Sequence, residues 1–84
     1  MVERSELART LCTALATAAG RADGSVTGGT SMLDVSMDSL TVVTALSQVE
    51  AAYGFELTPE DLIAAFSASR VGDVVELLHT KIEG

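Results

Sequence analysis

Apolar residues recur along this chain at helical spacing, in runs separated by glycine and small polar residues. Leu7, Leu11 and Leu15, continued by Ala18 or Ala19, mark a first helix that Ser5 opens. Glu6 sits in its first turn, where a negative charge meets the positive helix end, and Gly20 is its stop. Val42, Leu46, Val49 and Tyr53, with Ala45 and Ala52 beside them, mark a second helix from Leu40 to Tyr53 that ends at Gly54. Phe55-Glu56-Leu57 reads as an extended link with Phe55 and Leu57 packing inward. Thr58-Pro59-Glu60-Asp61 is a helix start: Thr58 caps, Pro59 takes the first helical position, and Asp61 follows the cap at capping-box spacing. A short third helix follows with Leu62, Ile63 and Phe66 apolar, then a brief break from Ser67 to Arg70. Val71, Val74 or Val75, Leu78 and Ile82 form the stripe of a fourth helix from about Val71 to Ile82. The pattern predicts an all-α, four-helix bundle with one short third helix and a long first loop.

That loop, Arg21 to Asp38, interrupts the periodicity with Gly24, Gly28 and Gly29 among Ser, Thr and Asp. A connection this long inside a small domain needs a reason. Met32, Leu33 and Val35 are expected to pin its second half against the bundle. Its glycines follow no strand and are not spaced to cradle a phosphate, which argues against a nucleotide site.

With 84 residues the chain is read as one domain, residues 1–84, with a thin core. Hydrophobic residues make up 48% but only three are aromatic, and many are alanine, which suits closely packed helices. The net charge of −7 argues against nucleic acid, which needs a basic face. No apolar run reaches membrane-spanning length, and Glu3, Arg4 and Glu6 stand where a signal peptide needs apolar residues. The lone Cys12 has no internal disulfide partner, so nothing points to an oxidising compartment and a cytoplasmic protein is expected; a monomer is expected as well. Cys12 on an apolar helix face reads as packing, and His79, beside the stripe of the fourth helix, as a partly exposed bystander. One His and one Cys on separate helices leave little material for catalysis, so the chain does not read as an enzyme.

The chemistry concentrates at Met37-Asp38-Ser39-Leu40, where the loop meets the second helix. Asp and Ser accept hydrogen bonds from free helix-start N–H groups, so Ser39 belongs at a helix entrance with its hydroxyl in water. A phosphate ester suits that place, because helix N-termini carry partial positive charge and unpaired donors. Asp38 is positioned to help a visiting enzyme hold a divalent cation. An Asp-Ser pair can also do nothing more than cap. Leu40 and Val43 lie off the core stripe on the side nearer Ser39, followed by Thr44, Ser47 and Ala51. They read either as incidental surface residues or as a docking patch, and clustering beside Ser39 favours docking.

Laid out in this way, the chain resembles the acyl carrier protein family over nearly its whole length. Leu33-Asp34-Val35-Ser36-Met37-Asp38-Ser39-Leu40 is similar to the family's Asp-Ser-Leu attachment motif with its hydrophobic approach. Tyr53-Gly54-Phe55-Glu56-Leu57 and Ser69-Arg70-Val71-Gly72-Asp73-Val74 are similar to family segments further along. The resemblance implies a 4′-phosphopantetheine arm attached to Ser39 by a phosphopantetheinyl transferase using magnesium. Asp38 would assist that transferase, and Leu40, Val43, Ser47 and Met37 would form the surface that partners grip. It further implies that acyl groups ride on the arm as thioesters between a ketosynthase, an acyltransferase or other synthase enzymes.

Two departures from the family pattern matter: the first bears on the loop geometry around Met37, and the second on which pathway this is. Ser36 stands where family members often have glycine. The second helix, densely acidic in fatty-acid-type members, has Glu50 as its one charge between Leu40 and Tyr53. A polyketide or related specialised (antibiotic-type) pathway is therefore expected. A peptidyl or aryl carrier of a nonribosomal pathway is the near alternative, and a helical interaction module without an arm is the alternative of another class.

Overall fold

The computed structural model describes residues 2–22, 24–35 and 39–83. Among these residues it is all-helical, with α1 at Arg4–Ala18, α2 at Met32–Val35, α3 at Ser39–Tyr53, α4 at Pro59–Ser67 and α5 at Val71–Glu83. The four longer helices are the predicted bundle, with α4 short. α1 packs on both α3 and α5, and α4 on α5. The single turn α2 is an addition inside the long first loop.

The core stripes fall where the periodicity puts them. Leu7, Leu11 and Leu15 of α1 meet Val42, Ala45, Leu46 and Val49 of α3 and Val71, Val74, Val75 and Leu78 of α5, all buried. Tyr53, Phe55, Leu57, Leu62 and Ile82 pack partly buried against them. No polar or charged side chain is buried among the described residues. Polar ties close the surface of the bundle: Thr10 Oγ1 and Tyr53 Oη are 3.1 Å apart between α1 and α3, and Arg4 pairs with Glu76 at 2.8 Å between α1 and α5.

Helix ends follow the local signals except at the start of α1. That helix begins at Arg4 with Glu3 at the cap position and no side-chain cap bond, so Ser5 lies inside it and does not open it. Gly20, at φ 70°, turns the chain after α1 so that the Arg21 N–H reaches back to the Ala16 carbonyl at 2.8 Å. Gly54, also at φ 70°, ends α3 likewise, with Phe55 N–H donating to the Glu50 carbonyl. The capping box of α4 is complete: Asp61 N–H donates to Thr58 Oγ1 and Thr58 N–H to Asp61 Oδ2.

The long loop is held by backbone bonds. Met32 N–H donates to the Ser69 carbonyl, Val71 N–H to that of Thr30, and Gly72 N–H to that of Gly28, at 2.8–3.0 Å. The loop carbonyls therefore satisfy two of the free N–H groups that open α5. A Cβ on Gly72 would stand 3.0 Å from the Gly28 oxygen, so a larger residue there would push the loop back by a few tenths of an ångström.

Two further expectations need correction. Leu33 does not pin the loop: within the turn of α2, Met32 and Val35 point inward and Leu33 is 81% exposed. Ala52 is exposed, while Tyr53 beside it is half-buried. On α4, Ile63 is mostly exposed, and Ala65 is the buried residue of that helix.

Candidate functional site

Ser39 is exposed and is the first residue of α3. The buried stripe of Val42, Leu46 and Val49 fixes that helix against α1, so the start of α3 is carried on a rigid element. Helix starts present N–H groups and partial positive charge. The first turn of α3 carries no acidic side chain, so a phosphodiester on Ser39 meets no carboxylate from that turn. The residues present fit a phosphate-linked group at this hydroxyl. Asp38 and Met37 lie outside the described residues.

Leu40 is 66% exposed and Val43 37%, and Ser47 is exposed one turn beyond. The structure thus leaves Leu40, Val43 and Ser47 on the outer side of α3, away from the buried stripe. The only charged residue of α3, Glu50, is half-buried and turned to the following link, where its Oε2 accepts the Leu57 N–H at 2.8 Å. The outer side of α3 nearest Ser39 consequently carries no charged side chain.

The remaining chemistry-bearing residues are dispersed. Cys12 is half-buried on α1, at the edge of an open hollow of about 400 Å³ also lined by Ala8, Thr13 and Val26. Burial pushes its thiol pKa up, which keeps it protonated at neutral pH. His79 Nε2 lies 3.1 Å from the Val2 carbonyl oxygen and 3.8 Å from Glu83 Oε1. Among the described residues, no three His, Cys, Asp or Glu side chains come together as a metal site. No helix among them is long and apolar enough to cross a membrane.

Sequence reasoning missed Arg21, whose Nη2 donates to the Asp34 carbonyl of α2 at 2.9 Å. It also missed α2, although a signal was present. Ser31-Met32-Leu33-Asp34 has the spacing of a capping box, and Ser31 Oγ does accept the Leu33 N–H at 3.2 Å.

No curated protein and no solved structure matches the chain significantly. A family model does: the one described as the phosphopantetheine attachment site matches residues 9–78. That match runs from within α1 to within α5 and takes in α2, Ser39 and the whole of α3. Domains of this kind bear 4′-phosphopantetheine covalently and work with phosphopantetheinyl transferases and synthase enzymes. With an all-helical bundle that leaves a hydroxyl exposed at the start of α3, this chain belongs to the phosphopantetheine-attachment family, that of the acyl carrier proteins.

Proposed function

We propose that Ser39 anchors the 4′-phosphopantetheine arm and that residues 1–84 act as one non-catalytic carrier domain, a cytoplasmic monomer. The arm's terminal thiol holds acyl groups as thioesters and carries them between successive active sites at high effective concentration. The single observation that carries this reading is the exposure of Ser39 as the first residue of a packed helix. Asp38 is the preceding residue that would assist the transferase with its magnesium ion. Leu40, Val43 and Ser47, with Met37, form the surface that partner enzymes cover.

The neutral outer side of α3 supports a polyketide-type or related specialised pathway, with a ketosynthase or acyltransferase among the partners. Partners that grip fatty-acid-type carriers through basic patches would find few charges here, since Glu50 binds the Leu57 amide. A peptidyl or aryl carrier shares the same anchor and differs in cargo.

Treatment with coenzyme A, magnesium and a broad-specificity transferase should add one phosphopantetheine to the native chain and none to Ser39→Ala. The variant should stay folded, since losing a helix-entrance hydroxyl costs up to about 2 kcal/mol. Loading of the Ser39→Ala chain would place the anchor elsewhere.

A further inference from the structure

Leu33 is 81% exposed, yet the turn that carries it is held from several sides. Its neighbours Met32 and Val35 are buried in the core, and the Met32 N–H is bonded to the Ser69 carbonyl beside α5. On the other side Arg21 Nη2 donates to the Asp34 carbonyl at 2.9 Å. Arg21 is itself tied to the end of α1 through its backbone bond to Ala16. A leucine on a loose loop can fold back onto apolar surface and leave water. Here the backbone is fixed on both flanks, and the side chain is kept out.

Its position is not random with respect to Ser39. Of the five large hydrophobic side chains exposed among the described residues, Leu33, Leu40 and Val43 lie within six positions of Ser39 in the chain. Six residues reach at most about 20 Å even when fully extended. A standard interface covers about 800 Å² on each partner, a patch about 30 Å across, so an enzyme acting on Ser39 can cover Leu33 as well. On α3 the surface it meets carries no charged side chain, since Glu50 is turned to the following link with its carboxylate on the Leu57 N–H, while Asp34 beside Leu33 is exposed. Toward α3 that surface suits an apolar socket better than a basic one.

We infer that Leu33 is a binding contact for a transferase that loads Ser39, and that Arg21 is a positioning residue which holds Leu33 out through α2. The inference rests on Ser39 being the anchor. Its alternative is a leucine that is merely exposed, as single surface leucines often are.

The test is the initial rate of phosphopantetheine transfer from coenzyme A, with magnesium and a broad-specificity transferase, measured by protein mass. The chains compared are native, Leu33→Glu, Leu33→Gln, Leu33→Met, Arg21→Gln and the double variant Arg21→Gln with Leu33→Gln. Losing much of a leucine's burial at the interface should raise the carrier's KM about tenfold in Leu33→Glu and Leu33→Gln, with kcat within about twofold. Leu33→Met keeps apolar reach and should load like the native chain. Arg21→Gln should raise KM by less than Leu33→Gln does, and the double variant should be no worse than Leu33→Gln alone, because the two act through one contact. Melting curves of the Leu33 variants should match the native chain, since the side chain is already in water. A native chain that stays unloaded overturns the anchor itself. A loaded native chain whose Leu33→Gln variant keeps its KM overturns the role of Leu33, and additive effects in the double variant overturn that of Arg21.

Discussion

The carboxylate of Glu50 accepts the backbone N–H of Leu57 at 2.8 Å, so the only charged side chain of α3 is turned to the link with α4. Gly54 makes this possible by turning the chain at φ 70°, which also brings the Phe55 N–H back to the Glu50 carbonyl. One glutamate thus closes the helix with both its backbone and its side chain. The outer face of α3 toward Ser39 is left to Leu40, Val43 and Ser47.

That arrangement predicts weak salt dependence of partner engagement. Exposed charge pairs are screened as ionic strength rises, and charge-steered association slows steeply. Between 50 and 500 mM salt, KM for carrier loading should change by less than about threefold. A tenfold or larger rise would mean that charges elsewhere on the chain steer the encounter. The partner enzyme's own salt sensitivity is controlled with a pantetheine-free peptide substrate or by its activity on a second carrier.

Glu50→Gln separates the two roles of that residue. The amide oxygen of glutamine can still accept the Leu57 N–H, but a charge-assisted bond becomes a neutral one. The expected loss is about 1 kcal/mol in chemical denaturation, with loading kinetics unchanged. Slower loading at unchanged stability would show that Glu50 faces the partner after all.

Gly28 and Gly72 should respond unequally to alanine. A Cβ on Gly28 meets nothing closer than the Gly72 Cα at 3.9 Å, whereas one on Gly72 stands 3.0 Å from the Gly28 oxygen. That oxygen cannot retreat cheaply, because it accepts the Gly72 N–H at 2.8 Å. Alanine gains about 1 kcal/mol of helix propensity over glycine, while overpacking against a fixed group costs about 1–3 kcal/mol. Gly72→Ala should therefore be net destabilising by about 1 kcal/mol and Gly28→Ala close to neutral, as read by urea denaturation. Equal effects would show that the loop shifts freely against α5.

The contrast between α4 and α2 shows what was legible in the sequence. Thr58-Pro59-Glu60-Asp61 states a helix start in several independent ways, and the structure forms every bond it implies. The leucine stripe of α1 and the stripe of α3 repeat over several turns, so their buried faces could be read directly. α2 is one turn long and has no period to detect. Its two buried residues, Met32 and Val35, are separated by helical spacing, but Leu33 between them looks equally suited to burial. What sends it outward is tertiary: the bond from Met32 to Ser69 and that from Arg21 to Asp34, both joining residues distant in the chain. At the site, the exposure of Ser39 followed from its place at a helix start. The neutrality of the surface beside it was only half legible, because the engagement of Glu50 by Leu57 depends on how the chain turns at Gly54.

Cys12 should behave as a shielded thiol. Burial raises its pKa, so the reactive thiolate is scarcer than on a free cysteine at the same pH. In the folded chain, alkylation at neutral pH should be slower than in the urea-unfolded chain by about tenfold or more. Equal rates would show that the hollow beside Ala8 and Val26 leaves the sulfur open. This matters for loading studies, because a holo chain carries a second thiol at the end of its arm. Selective labelling of the arm should therefore succeed without removing Cys12.

Asp61 gives the fold an acid-sensitive joint. The Thr58 backbone N–H holds its carboxylate below the usual range, and Lys81 Nζ at 3.0 Å adds to this by tying α4 to α5. A carboxylate whose pKa is lower in the folded than in the unfolded chain stabilises the fold above its unfolded value, about 3.9. That contribution fades as pH falls through the folded value, once protonation removes the charge on the acceptor. Asp61→Asn should therefore lower the melting temperature at pH 6 and flatten its fall as pH drops below about 4, the side set by the downward shift. Lys81→Met should produce a weaker version of the same flattening, because the Thr58 contribution survives. A native and an Asp61→Asn chain that lose stability in parallel below pH 4 would assign the acid sensitivity to other carboxylates and leave the Thr58 cap with no electrostatic part in it.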